Sequence, residues 1–194
     1  MDVNKVKVWL QLFTDKVVEN KDYLSELDTP IGDGDHGANM ARGTTEMMKA
    51  IEDKQPETVR DTFKLAAMTL ISKVGGASGP LYGSAFMGMT KASADSEDMT
   101  TILAAGLADI QKRGKAEVGE KTMVDVWAPV IDALEKKELT PELIESYVDA
   151  TKDIKATKGR ASYLGERSIG HLDPGAVSSS YLFEAMLESG VIDK

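Results

Sequence analysis

Apolar residues in this chain recur mostly every three or four positions. Val6, Trp9, Phe13 and Val17 form one such stripe. Val59, Phe63, Leu70 and Val74 form a second, preceded by Pro56, a residue suited to a first helical turn. Ile102, Leu103, Leu107 and Ile110 make a third, and Val126, Val130 and Leu134 belong to a fourth. Side chains so spaced share one face of a helix, whereas a half-buried strand needs a period of two. No alternating run of β-branched residues lies between turn signals, so no strand is predicted. Thr140-Pro141-Glu142 reads as an N-cap followed by proline, opening a helix through Ile144, Val148 and Ile154. Tyr181, Leu182, Ala185 and Met186 mark the last helix, and two fainter ones fall at 38–52 and 80–94. The fold class is therefore all-α, a bundle of about eight helices. The 194 residues hold no repeat and no linker, so residues 1–194 form one domain.

Composition removes several classes of function. Lys and Arg number 23 against 32 Asp and Glu, a net charge of −9 with no basic patch, so nucleic acid is not an expected partner. The absence of cysteine excludes disulfides, thiolate metal sites and a cysteine nucleophile. No apolar run approaches the ~18 residues of a membrane span. The N-terminus lacks the order of a signal peptide, and the expected location is cytoplasmic.

The connections carry the chemistry. Those at 95–99 and 137–140 are short, while those at 24–37, 75–79, 113–121 and 158–175 are rich in glycine. Alternate loops of an antiparallel bundle lie at one end, so these four can converge there. In the first, Asp28, Asp33 and Asp35 are interleaved with Gly32, Gly34 and Gly37. Residues two apart in extended chain point to one side, so Asp33 and Asp35 can meet, and the turn at Pro30 and Gly32 can bring in Asp28. Three converging carboxylates repel one another unless a cation lies among them, and hard oxygen ligands suit Mg²⁺ or Ca²⁺. The competing reading is a solvated acidic turn. Gly32-x-Gly34-x-x-Gly37 is not a dinucleotide fingerprint, because a helix precedes it and two variable positions are Asp. An EF-hand loop counted from Asp33 fails at Ala38 and Thr44.

Gly75-Gly76-Ala77-Ser78-Gly79-Pro80 leads into a helix whose free N–H groups could seat a phosphate; a helix stop and a tight turn is the plainer reading. Gly114 through Thr122 misses the P-loop pattern by one residue and follows no strand. The segment 158–175 offers Lys158, Arg160 and Arg167 to phosphate oxygens, or a salt-bridged surface loop. His36 and His171 lie within these loops.

Four blocks together carry a resemblance: Ile31 to Gly37, Gly75 to Pro80, Arg113-Gly114-Lys115 through Lys121-Thr122-Met123, and Gly159 to His171 with Asp173-Pro174-Gly175. In them the chain resembles the nucleotide-binding L subunits of the dihydroxyacetone kinases. That resemblance implies an antiparallel barrel of eight helices with the nucleotide site in the loops at one end. It implies that Asp28, Asp33 and Asp35 hold two Mg²⁺. It also implies that His36, Asn39, Ala77, Ser78, Gly114, Thr122, Met123, Arg160, Asp173 and Gly175 line a site for ADP or ATP. No catalytic side chain is assigned. The implied partners are a K subunit that binds dihydroxyacetone and a phosphohistidine-carrying M subunit of the phosphotransferase system that rephosphorylates the bound ADP. The oligomeric state stays open, a homodimer included. Two other readings remain: the nucleotide subunit of a related ATP-exchanging kinase with another acceptor, and a non-enzymatic helical module that binds divalent cations.

Overall fold

The computed structural model describes residues 1–192. Among these it has nine α-helices and two 3-10 helices, and no strand. The helices are α1 (Val3–Glu19), α2 (Lys21–Asp28), α3 (His36–Lys54), α4 (Val59–Lys73), α5 (Ser78–Ala92), α6 (Met99–Gly114), α7 (Val124–Glu135), α8 (Pro141–Ala150) and α9 (Pro174–Ser189). The 3-10 helices, Thr151–Asp153 and Arg160–Ser168, lie between α8 and α9. Each helix from α3 to α9 packs on the next, α9 packs on α1, and α1 on α3, which closes a ring with α2 wedged between α3 and α9.

The ring closes because each helix brings an apolar stripe to a shared interior. Trp9, Phe13, Phe63, Tyr82, Phe86, Trp127 and Phe183 are all fully buried there. Trp9 meets Phe63 edge-on at 6.1 Å, and Trp127 meets Phe183 edge-on at 5.0 Å. Burial of each such side chain contributes roughly 1.5–3 kcal/mol. Helices α4, α5 and α6 come closest where glycine leaves room: a Cβ on Gly83 would strike Ile71 of α4, one on Gly88 the Ala105 carbonyl of α6, and one on Gly106 would crowd the Ala85 carbonyl of α5.

Several boundaries differ from the sequence expectation. The count is nine because Asn20 breaks the first helix: its side chain donates to the Lys16 carbonyl at 2.8 Å and closes α1, after which α2 starts in a new direction. Residues 24–28, expected in a loop, are the second half of α2. Pro56 lies outside α4, because Thr58 takes the N-cap by accepting from the Asp61 amide at 3.0 Å. The helix opened by Thr140 ends at Ala150, with Ile154 beyond it. The stretch 158–175 is not one loop but a 3-10 helix, a turn and the start of α9.

Candidate functional site

The connections α2–α3, α4–α5, α6–α7 and α8–α9 meet at one end of the ring. In the first, each residue of the acidic motif has a local reason. Asp28 ends α2, and its Oδ2 accepts from the amides of Asp35 (3.0 Å) and His36 (3.2 Å), which folds the loop back on the helix. Gly32 lies where a Cβ would strike the Asp28 carboxylate, and Gly34 has φ +76°, which favours glycine. A Cβ on Gly37 would overlap the Lys21 carbonyl, so that glycine lets α3 start directly against α2.

One carboxylate oxygen from each of Asp28, Asp33 and Asp35 lies within 4.8 Å of the other two. Arg160, on the 3-10 helix of the α8–α9 connection, contacts Asp33 at 2.5 Å. One positive charge cannot neutralise three negative ones, and the carboxylates respond. Asp33 and Asp35 share a hydrogen bond, which holds the Asp33 carboxyl below the usual range, helped by Arg160, and pushes that of Asp35 above it. Burial pushes the Asp28 carboxyl up as well, against the pull of the two amides. An all-carboxylate oxygen set of this kind fits a hard divalent cation such as Mg²⁺.

Beside this group stands α5. Its N-cap is Ala77, which has no side chain to offer, and the amides of residues 75–79 have no acceptor among the described residues. A helix start left in this state presents free N–H groups and the positive end of the dipole, the attributes of an anion seat. Ser78, the first residue of α5, places Oγ 3.1 Å from Nδ1 of His36. His36 opens α3, is buried, and is pushed down to about 4 by that burial, so its ring is neutral at pH 7. Its Nε2 lies 2.9 Å from Ser178 of α9. Asn39, one turn along α3, is buried; its Oδ1 accepts from Arg42 at 2.8 Å and lies under Gly75, where a Cβ would crowd it.

The other two connections complete the end. Thr122 and Met123 precede α7; the Thr122 amide donates to Asp125 at 2.9 Å, and Met123 lies against Gly175 in the first turn of α9. Gly114 closes α6 against Leu81 of α5 and shares no hydrogen bond with the carboxylates among the described residues. Asp173 caps α9 by accepting from the Ala176 amide at 2.8 Å, and burial pushes its carboxyl up to about 7.

Two features are not apparent from the sequence. Lys121 is only 1% exposed; its Nζ donates to the carbonyls of Thr151 (2.5 Å) and His171, with Lys152 further off. It thereby ties the α6–α7 connection to both ends of the α8–α9 excursion. A lysine in a charged loop reads as solvated, and the positive φ of 63° that turns it inward leaves no sequence signal. The second is the polar side of α5 and α9: Tyr82 hydrogen-bonds Ser178 (2.7 Å) and Ser179 (2.9 Å) in the interior. The run Ser178-Ser179-Ser180 on an otherwise apolar helix is the one sequence trace of it.

The DAK2 domain profile matches residues 30–188. The chain is 59% identical over 187 residues to the ADP-binding subunit DhaL of PEP-dependent dihydroxyacetone kinase 1 from Listeria innocua, covering 94% of both chains. It is also 59% identical over 180 residues to the ADP-binding subunit of the PTS-dependent dihydroxyacetone kinase of Lactococcus lactis, covering 93% of this chain and 94% of that one. Its fold is similar to the crystal structure of the dihydroxyacetone kinase from C. freundii in complex with AMP-PNP and Mg²⁺, with a TM-score of 0.78 and 25% identity over 95% of this chain. The chain spans 33% of that larger protein.

Proposed function

The chain belongs to the DAK2 domain family, and on that footing we propose that it is the ADP-binding, Mg²⁺-dependent subunit of a phosphoenolpyruvate-dependent dihydroxyacetone kinase. The observation that carries this reading is the meeting of three under-neutralised carboxylates with the open start of α5. Asp28, Asp33 and Asp35 would hold two Mg²⁺, and the metal when bound supplies charge neutralisation for the transferring phosphoryl group. The free amides of residues 75–79 and the Ser78 hydroxyl bind phosphate oxygens, and Arg160, largely exposed, is within reach of them once Asp33 turns to a cation. His36, Asn39, Ala77, Gly114, Thr122, Met123, Asp173 and Gly175 line the rest of the nucleotide site. Every one of these residues comes from a single chain, residues 1–194 acting as one nucleotide-binding domain.

No side chain at this end is assigned as a base for an acceptor hydroxyl, so dihydroxyacetone arrives on a separate K subunit docked over 24–37 and 158–175. ADP stays bound and is rephosphorylated in place by the phosphohistidine of an M subunit, in the cytoplasm. Native mass spectrometry tests the site: the wild-type chain retains ADP with two Mg²⁺, while Asp33→Ala and Asp35→Ala keep the helical circular-dichroism spectrum and lose the nucleotide. Stoichiometric ADP in either variant would overturn the carboxylate assignment. Activity tests the partners. The chain alone with MgATP and dihydroxyacetone gives no product, and the K subunit restores one transfer per bound ATP. Repeated turnover with free ATP and no phosphohistidine donor would move the chain to the ATP-exchanging reading.

A further inference from the structure

Beneath the open start of α5, hydrogen bonds run without a gap from the mouth of the site into the core. Ser78 Oγ lies 3.1 Å from His36 Nδ1, and His36 Nε2 lies 2.9 Å from Ser178 Oγ. Ser178 Oγ lies 2.7 Å from Tyr82 Oη, which is 2.9 Å from Ser179 Oγ. Ser179 Oγ accepts from the Trp127 indole at 3.1 Å. The six side chains come from α3, α5, α7 and α9, and all but Ser78 are buried.

Counting hydrogens gives this chain a direction. An indole N–H only donates, a hydroxyl has one hydrogen, and a neutral imidazole has one N–H. Trp127 therefore fixes the inner end: Ser179 accepts there, and its own hydrogen goes to Tyr82, its remaining partner among the described residues. The Tyr82 hydrogen then goes to Ser178. The reverse order would leave the Ser179 hydroxyl hydrogen buried without an acceptor, which is rare and costly. From Ser178 two acceptors are in reach, His36 Nε2 at 2.9 Å and the Gly175 carbonyl at 3.2 Å. The ring nitrogen is the nearer of the two by 0.3 Å and is taken as the acceptor. With Nε2 accepting, the ring hydrogen is on Nδ1 and donates to Ser78.

We propose that Trp127, Ser179, Tyr82 and Ser178 are positioning residues that hold His36 as its Nδ1–H tautomer, so that the Ser78 hydroxyl keeps its hydrogen for an anionic ligand oxygen. The proposal deepens, and rests on, the reading of this end as a nucleotide phosphate site. A serine that must spend its hydrogen on the ring can offer a phosphate only lone pairs, which repel it. A serine that accepts from the ring keeps its own hydrogen free to donate. The preference for anions at this position is thus set five hydrogen bonds away, by an indole in the core.

The chain contains two histidines, which makes the test direct. Long-range ¹H–¹⁵N spectra of the full chain labelled at histidine, at neutral pH and without nucleotide, report which ring nitrogen is protonated, with His36 assigned by comparison with His171→Gln. His36 should show a protonated Nδ1 and a bare Nε2. In Tyr82→Phe, Ser178 loses its donor, so the ring should turn to the Nε2–H form and MgADP should bind about 3- to 10-fold more weakly. Ser180→Ala, on the same helix but bonded only to the Val177 carbonyl, should change neither. A wild-type ring protonated at Nε2, or at both nitrogens, overturns the proposal without need of any variant. So does a folded Tyr82→Phe protein with an unchanged tautomer and unchanged affinity. A wild-type Nδ1–H ring in a chain that binds no MgADP would uphold the relay and sink the nucleotide reading instead.

Discussion

Helices that begin at the end remote from the carboxylates start differently from those that begin beside them. At the remote end, α1, α4, α6 and α8 start on Asp2, Thr58, Asp98 and Thr140, and each side chain accepts a backbone N–H of its own first turn. At the carboxylate end, α3, α5 and α7 start on Asp35, Ala77 and Met123, and none of these provides a side-chain cap. A side-chain cap stabilises a helix by about 1 kcal/mol. The remote end is therefore finished by the cap residues of its own helices, whereas at the other end α3 and α7 start on donors taken by neighbouring side chains and α5 is left with free ones. Those free donors stand beside three crowded carboxylates, charges of both signs that a metal-bound anion would satisfy together. Helix α9 is the exception, capped at the site end by Asp173.

The contrast would be broken most severely at Lys121, which belongs to the open end yet serves the fold. Lys121→Met strips the donor from buried carbonyls on both sides of the α8–α9 excursion and should cost about 3 kcal/mol in urea unfolding. A loss below about 1 kcal/mol would mean that the excursion holds without its tie. Next in size is the ligand itself. MgADP at a hundred times its Kd should add about 2.7 kcal/mol. EDTA should remove that gain, lower the Tm and expose 158–170 to protease first; an unchanged Tm and an unchanged cleavage pattern after full metal removal would contradict an open end completed by a cation. At the remote end, Asp98→Ala and Thr140→Ala should each cost about 1 kcal/mol and leave MgADP affinity unaltered. A change in affinity there would erase the distinction between the ends.

The smallest effect concerns the exceptional cap. Burial pushes the Asp173 carboxyl up to about 7, above its ordinary value of 3.8, so the folded chain takes up a proton that the unfolded chain does not. Stability of the metal-free protein should accordingly fall as pH rises between those two values. It should be greater by about 1 kcal/mol at pH 6 than at pH 8. Asp173→Asn keeps a capping oxygen and should flatten that slope in thermal melts at the two pH values. A slope that persists in the variant would assign the proton to another group.

How much of this was legible in the chain depended on the range of the interaction. The stripe Val6, Trp9, Phe13 and Val17 is wholly buried, because period and burial are the same fact seen twice. Helix α2 leaves no stripe in the sequence, because Leu24 is its one buried residue and a single position makes no period. The three aspartates meet because their spacing and the glycines between them are local. The Tyr82 bond to Ser178 spans 96 residues, and the Lys121 bonds reach 30 and 50 residues away; such pairs leave no local pattern. In the sequence, a tyrosine and serines on apolar helices read as filler for the core.

The glycine contacts among α4, α5 and α6 bear on time as well as space. Where backbones touch with no side chain between them, one helix cannot slide without lifting the next. These three should behave as one slab whose hydrogen-bonded interior amides exchange with solvent only when the whole chain unfolds. The α8–α9 excursion is held differently, by a lysine, a few hydrogen bonds and the small cluster of Ile31, Ala156, Ala161 and Leu164. Its amides should exchange through local opening, at far lower cost. Nucleotide would then enter and leave by movement of the excursion and Arg160, against a wall carrying Ser78 that stays still throughout the cycle.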